Sequence, residues 1–115
     1  MADQVELALP KTVFDERSAF TATVRFRDRA TAAASTPTTA EYRLYNVTHQ
    51  TLVKDWTTLT PAAEISVTVE AGNNKILGEG VAEVMQFLIA SDRTLSTQVT
   101  EAAYYHIRNL RGYDA

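Results

Sequence analysis

The two histidines, His49 and His106, are the side chains best suited to acid–base or metal chemistry near neutral pH. They fall in different predicted elements, a turn and the last strand, and neither has a compact group of His, Asp or Glu beside it. A zinc site normally requires three or four protein ligands. Neither histidine lies near a serine motif such as a nucleophile elbow. We therefore predict that both are structural residues.

The closest carboxylate pairs are Asp15 with Glu16 and Glu79 with Glu83. Glycoside hydrolysis needs two carboxyl groups set across a cleft, and a chain of 115 residues with short loops offers little room for one. We expect these residues to be surface charges. The sequence has no cysteine, which excludes a thiol nucleophile and a Cys-ligated metal. The prediction is no enzyme, no catalytic residue, no cofactor and no metal.

Three arginines, Arg25, Arg27 and Arg29, recur at a spacing of two residues, so a continuous strand would project them from one face. Arg43 would join them if its strand belonged to the same sheet. Such an arginine stripe could grip an acidic protein surface or a phosphate backbone. The alternative is a solvated face paired with nearby carboxylates. The carboxylates considered for that pairing are Asp28, Asp15 and Glu41.

A second group of interface residues lies near the C-terminus and combines tyrosine with arginine, types enriched in binding hot spots. Strand alternation sends one of the adjacent tyrosines Tyr104 and Tyr105 inward and the other outward, and we assign Tyr105 to the outer surface. The alternative is an ordinary edge-strand surface. The members of this group are Tyr105, Arg108, Arg111 and Tyr113.

Trp56 is the only tryptophan, and its aromatic ring could serve as a platform for a sugar. The alternative, which we adopt, places it in the core, where it would supply a large share of the buried apolar area. The complete set of side chains predicted to point inward is Phe20, Val24, Phe26, Tyr42, Leu44, Trp56, Ile65, Val67, Val69, Leu88 and Ile107.

Seven short runs have the alternation or composition of β-strands, and turn residues separate them. The clearest is Phe20 to Asp28, in which every second residue is apolar. The other runs are Val5–Leu9, Tyr42–Tyr45, Leu52–Trp56, Ile65–Val69, Val84–Ala90 and Ala102–Leu110. This pattern predicts an all-β, seven-stranded, immunoglobulin-like sandwich in a single domain. Residues 1–13 would form an N-terminal arm or edge strand, and residues 14–113 the sandwich.

Two features limit the classes of partner. The net charge of −3 gives no general attraction to nucleic acid. The most apolar stretch, Val81–Ala90, is too short to span a bilayer, and the N-terminal segment lacks the pattern of a secretory signal. We therefore expect neither nucleic acid nor a membrane as partner.

The segment 73–83, with two glycines, is expected to be an irregular loop or an edge with a bulge.

Several segments in order resemble small immunoglobulin-like or fibronectin type III-like proteins encoded among bacteriophage structural genes. These segments are VRFRD, EYRLYN, DWTTLTP, EISVTVE and YYHIRNLRGY, and the resemblance covers roughly residues 14–113. The chain departs from true immunoglobulin domains because it has no cysteine pair and carries its tryptophan on the fourth run. The resemblance implies a virion component, assembled in the cytoplasm of the bacterial host.

The leading functional hypothesis is a non-enzymatic virion protein that decorates the capsid by binding the major capsid protein. The same resemblance also allows a head–tail connector or a tail-associated component. The partners would be phage capsid or connector proteins, with a homo-oligomer on the particle as a further option. An alternative of another class is a carbohydrate-binding or adhesion module that uses exposed aromatic residues.

Overall fold

The computed structural model describes residues 2–109, which form eight strands, one short 3-10 turn at Ala71–Asn73 and one isolated bridge between Arg27 and Ala34. Seven strands correspond to the predicted runs. The additional strand, β2, is only three residues long and gave no periodic signal. The strands are β1 (Gln4–Ala8), β2 (Val13–Asp15), β3 (Phe20–Arg27), β4 (Ala40–Asn46), β5 (Thr51–Leu59), β6 (Glu64–Val69), β7 (Ala82–Ser91) and β8 (Val99–Arg108).

The strands form two sheets, one with the order β1-β3-β6 and one with the order β2-β8-β7-β4-β5. All neighbouring strands are antiparallel except β2 and β8, which are parallel. The two sheets share one hydrophobic core, as in immunoglobulin-like sandwiches. In the seven-strand constant-type pattern the fourth strand lies in the first sheet, whereas here β5 pairs with β4 in the second. The predicted all-β sandwich fold is confirmed.

Strand alternation fills the core as the sequence indicated for β3. Phe20, Ala22, Val24 and Phe26 are buried, and the residues between them face outward. From the second sheet, Leu44, Phe87 and Ile107 are buried against them. Tyr42 is also buried, and its ring is stacked on Phe87 with 5.5 Å between centroids. At the N-terminal end, β1 is the edge strand paired with β3, and Ala2 and Val5 belong to the core.

Two predicted core residues, Trp56 and Leu88, lie on the outer face of the five-stranded sheet instead. In β7 both alternate sets are largely apolar, and the set that points inward is Met85, Phe87 and Ile89. Leu88 pairs with Arg43 on the other side. Trp56 is displaced because β5 contains irregular register, which interrupts its alternation. No residue of this edge strand is fully buried.

Tyr105 also lies on the other side of the sheet from the one predicted. It is fully buried, whereas Tyr104 is 54% exposed. Its ring packs edge-on against Phe14 and Phe20, at centroid distances of 5.6 and 5.0 Å. Its hydroxyl donates to Asn74 Oδ1 at 2.7 Å, and burial raises the pKa of Tyr105. The assignment of Tyr105 to an interaction surface is therefore wrong, since period two places it on the same side as Ile107.

Tyr105 closes one end of the sandwich through Asn74, a fully buried side chain in the connection after β6. Asn74 Nδ2 donates to the carbonyl of Ser18 at 2.7 Å, and the Asn74 carbonyl accepts from the backbone N–H of Arg17 at 2.7 Å. One asparagine thus joins the β2–β3 turn, the β6–β7 connection and β8.

We expect Tyr105→Phe to lower the free energy of unfolding by about 1–3 kcal/mol, because it leaves the buried Asn74 oxygen without its donor. The matched control is Tyr104→Phe, one residue away on the exposed side, which should change it by no more than about 0.5 kcal/mol. Urea denaturation followed by circular dichroism measures both. Equal losses in the two variants would contradict the structural role of the Tyr105 hydroxyl.

Candidate functional site

The outer face of the five-stranded sheet carries a cluster of aromatic and charged side chains around the only tryptophan. Alternation along β4 places Glu41, Arg43 and Tyr45 on this face. The irregular segment of β5 brings Trp56 beside them, and Arg93 reaches in from the β7–β8 connection. We call Glu41, Arg43, Tyr45, Trp56 and Arg93 the Trp56 cluster.

Two guanidinium groups lie over the indole of Trp56. The Cζ atom of Arg93 is 4.7 Å from the ring centroid and that of Arg43 is 5.4 Å from it. Arg43 also lies 5.8 Å from the centroid of the Tyr45 ring. Each contact is electrostatically favourable because a cation is attracted to the negative face of an aromatic ring. The cluster is therefore ordered by its own contacts and presents arginine and aromatic groups together.

The two arginines differ in their pairing. Arg93 Nε donates to Glu41 Oε2 at 2.7 Å, and both side chains are partly buried. Arg43 makes no ion pair within residues 2–109, and its Nε atom is buried without a hydrogen-bond partner. One positive charge in the Trp56 cluster is therefore not balanced by a carboxylate of the described chain.

Asp92 fixes the connection that carries Arg93. Its Oδ1 atom accepts from the backbone N–H groups of Thr38 and Thr39 at 2.9 and 3.1 Å, and its Oδ2 atom accepts from the Thr97 hydroxyl at 3.0 Å. Asp92 itself has a left-handed backbone with φ of 52°. Neither Asp92 nor Arg93 was identified as a candidate residue from the sequence. The only available signal was the tendency of aspartate to order turns.

The arginine stripe is only partly realised. Arg25 and Arg27 project from the outer face of the three-stranded sheet, whereas Arg29 lies beyond the end of β3 in a turn. Arg25 pairs with Glu64 at 2.6 Å and Arg27 with Glu6 at 3.1 Å. These carboxylates differ from the predicted partners, which were Asp28, Asp15 and Glu41. Their pairing leaves the stripe with little unbalanced charge.

Arg29 and Arg43 are separated in the structure from Arg25 and Arg27. The Arg29 backbone N–H donates to Asp3 Oδ1 at 2.6 Å. Arg43 belongs to the other sheet, so it does not extend the stripe.

In the C-terminal group, Arg108 donates to Asp15 Oδ1 from Nε and Nη2, at 3.1 and 2.7 Å. Arg111 and Tyr113 lie outside the described residues.

Glu83, predicted to be a surface charge, is instead a buried carboxylate with 1% of its side chain exposed. Its Oε1 atom accepts from Asn46 Nδ2 and from the backbone N–H of Leu77, both at 2.9 Å. Its Oε2 atom accepts from the backbone N–H of Gly78 at 2.8 Å and lies 2.6 Å from His49 Nε2. These contacts hold the irregular segment after β6 against the β4–β5 turn, and we call them the Glu83 clasp.

The clasp also explains why residue 78 is a glycine, because a Cβ atom there would lie 2.6 Å from two atoms of the His49 ring. Burial of the Glu83 carboxylate opposes its ionisation, but the donors from Leu77, Asn46, Gly78 and His49 outweigh that effect and lower its pKa. His106 is exposed on the outer face of β8, whereas Glu83, which holds His49, points inward from β7. The two histidines are therefore not brought together.

No group of three or more His, Cys, Asp or Glu side chains within residues 2–109 is placed to hold a metal ion. No helix in the described part of the chain is long and apolar enough to cross a membrane. In comparisons with known proteins, no family model, curated protein or solved structure matches this chain.

We expect Trp56→Ala to lower the free energy of unfolding by only about 1–2 kcal/mol, because the ring is half-buried and loses mainly its contacts with arginine. The control is Phe87→Ala, which truncates a fully buried aromatic residue on the inner face of the same sheet. For this variant the free energy of unfolding should fall by about 3–5 kcal/mol. Chemical denaturation measures both. A loss for Trp56→Ala as large as that for Phe87→Ala would contradict its place on the outer face.

The Glu83 clasp predicts a specific dependence of stability on pH. Since the folded-state pKa of Glu83 lies below the unfolded value of about 4.3, its contribution is complete above that pH and is lost as the pH falls through the folded pKa. Glu83→Gln should lower the free energy of unfolding at pH 7 by about 2–3 kcal/mol and flatten its decrease below pH 4.3. Urea denaturation from pH 7 to pH 3 measures this.

The matched control for the clasp is Glu79→Gln, which removes an exposed carboxylate four residues away. This variant should keep the pH dependence of the unmodified chain. If the Glu83 and Glu79 variants have the same pH profile, the clasp does not stabilise the fold through its charge.

Proposed function

We propose that this chain is a non-enzymatic bacteriophage virion protein that decorates the capsid by binding the major capsid protein. The observation that supports a binding role is the Trp56 cluster, which presents Trp, Tyr and Arg on the outer face of a sheet. These residue types are enriched where binding energy concentrates in protein interfaces. The virion assignment comes from the resemblance of the sequence to phage structural proteins.

The framework around the cluster suits a decorating protein. Three cluster residues are on β4, a strand in the interior of the sheet, and Asp92 fixes the connection that carries Arg93. A surface held in this way loses little conformational entropy when it binds. Repetition of the same modest contact over a shell reinforces the shell without requiring high affinity at each site.

The outer face is a better docking surface than the arginine stripe. Arg25 and Arg27 are paired with carboxylates of the same sheet, so a partner would have to compete for charges that are already neutralised. A role as a head–tail connector would use the same outer face. It differs in the position of the copies, which would form a ring at one vertex rather than cover the shell.

Carbohydrate binding is the second candidate, and the position of Trp56 on the outer face of the sheet favours it. Sugars stack on a free aromatic face, however, and two guanidinium groups already lie over this indole. Stacking would require at least one arginine to move. A glycan array tests this candidate, and reproducible micromolar binding that is lost in Trp56→Ala would support it over capsid decoration.

The proposal is tested by adding the purified chain to capsids from a phage in which its gene has been deleted. We expect saturable co-sedimentation, and a particle reconstruction should show copies over the shell. Absence of binding would overturn the proposed function, and so would copies found only on a tail fibre that contacts host sugars.

A variant with Arg25, Arg27 and Arg29 all changed to Gln tests which surface is used. Each exposed ion pair contributes at most about 1 kcal/mol, so the variant should fold. We expect it to keep most of its capsid binding, measured by co-sedimentation over a range of salt concentrations. A folded triple variant that no longer binds would identify the stripe, and not the outer face, as the docking surface.

A further inference from the structure

Arg43 differs from the other strand arginines, and from Arg93 in the β7–β8 connection, in having no carboxylate partner within residues 2–109. Four arginines each form an ion pair at 3.1 Å or less: Arg25, Arg27, Arg93 and Arg108. Arg43 is instead held by the rings of Tyr45 and Trp56. Its guanidinium therefore keeps hydrogen-bonding capacity that a ligand can use.

The surroundings of Arg43 make this capacity more valuable than on an open surface. Leu88 lies directly across from Arg43 on β7, the Arg43 side chain is half-buried, and its Nε atom is buried without a hydrogen-bond partner. A charge partly removed from water gains more from a counter-ion than a fully solvated one does. A carboxylate placed beside Arg43 would meet a guanidinium that is already oriented by two aromatic rings.

The row of side chains next to Arg43 adds apolar contact area. Register across the sheet aligns Leu52, Tyr45, Gln86 and Tyr104 on the outer face. Leu52 and Tyr104 at the ends of this row are 46% and 54% exposed. The outer face therefore combines one unbalanced cation with aromatic and aliphatic surface on both sides.

We propose that the Trp56 cluster binds an acidic segment of a protein partner, with a carboxylate of that segment paired to Arg43. Neighbouring apolar residues of the segment would pack on Leu52 and Tyr104. This inference rests on the binding role in the proposed function and names the chemistry that the partner must supply. Charge complementarity favours it, because the one unpaired charge in the cluster is positive.

A nucleic acid fits this surface less well. Binding of a single strand requires a row of cations along its backbone and free aromatic faces for its bases. Here only one arginine of the cluster is unpaired, and the indole is already covered by guanidinium groups.

Fluorescence of Trp56 provides a direct test, because it is the only tryptophan in the chain. We titrate the full chain at low salt with a peptide of eight glutamates, and with a peptide of eight glutamines as the uncharged control. We expect a saturable change in emission with the glutamate peptide that weakens as salt is added. No change up to millimolar glutamate peptide, or an equal change with the glutamine peptide, would overturn the inference.

Three single variants assign the contact. Arg43→Gln should weaken binding of the glutamate peptide by about fivefold, the factor that corresponds to a charge pair of about 1 kcal/mol. Glu41→Gln should strengthen binding, because it removes a negative charge and frees Arg93. Arg25→Gln, on the other sheet, should leave the affinity unchanged. Equal affinity of the Arg43 variant and the unmodified chain would overturn the inference.

The remaining outcomes separate this inference from the proposed function. Tighter binding of an eight-nucleotide thymidine strand than of the glutamate peptide would make the cluster a nucleic-acid site and overturn the inference. Glutamate-peptide binding that depends on Arg43, in a chain that does not bind capsids, would overturn capsid decoration and keep the inference. If the Arg43→Gln variant binds capsids as well as the unmodified chain does, the Trp56 cluster is not the capsid contact. The proposal that the chain decorates the capsid would still hold in that case.

Discussion

The register of the central strands in the five-stranded sheet determines which side chains enter the core and which remain for binding. β7 pairs with β4 on one side and with β8 on the other, without interruption over most of its length. Since successive side chains of a strand alternate between faces, burial of Phe87 requires Leu44 and Ala103, across from it, to share its side. The same pairing requires Arg43 and Leu88 to lie outside.

This constraint also explains which parts of the fold could be predicted from the sequence. The alternation of β3 was clear because only one of its faces is apolar, and the structure confirms it. The placement of Tyr105 could have been derived as well, because Ile107 was predicted to be buried and lies two residues away. Leu88 could not be placed by pattern alone, because both faces of β7 carry apolar residues.

The face of the sheet that Trp56 occupies could not be predicted from the sequence, for a different physical reason. The register between β4 and β5 shifts twice between Tyr42 and Tyr45, and each shift resets the face that the following β5 residues occupy. Hydrophobicity then gives the wrong answer, because a tryptophan can be stabilised by arginine on an outer face as well as by burial. Of the candidate site, Arg43 was foreseen as an interface residue, whereas its contacts and its neighbour Arg93 were not.

Three buried polar side chains, Glu83, Asn74 and Asp92, order the connections in a way that composition does not reveal. Each is a hydrogen-bond acceptor for backbone N–H groups or side chains that are distant in sequence or lie in loops without a repeating pattern. Their value depends on the complete set of donors, because a buried polar group without its partners is destabilising. A sequence pattern shows the acceptor but not the loop that supplies the donors.

The same arrangement connects stability with the binding surface. Asp92 and the strand register hold the residues of the Trp56 cluster in place before any partner arrives, so the cluster does not need to be ordered by binding. Arg43 is the exception within this well-paired framework, since its charge is oriented but not neutralised. In a chain whose other strand arginines are paired, an unpaired and partly desolvated guanidinium reduces stability slightly unless a ligand completes it. That imbalance is the physical reason to look for a carboxylate at this position.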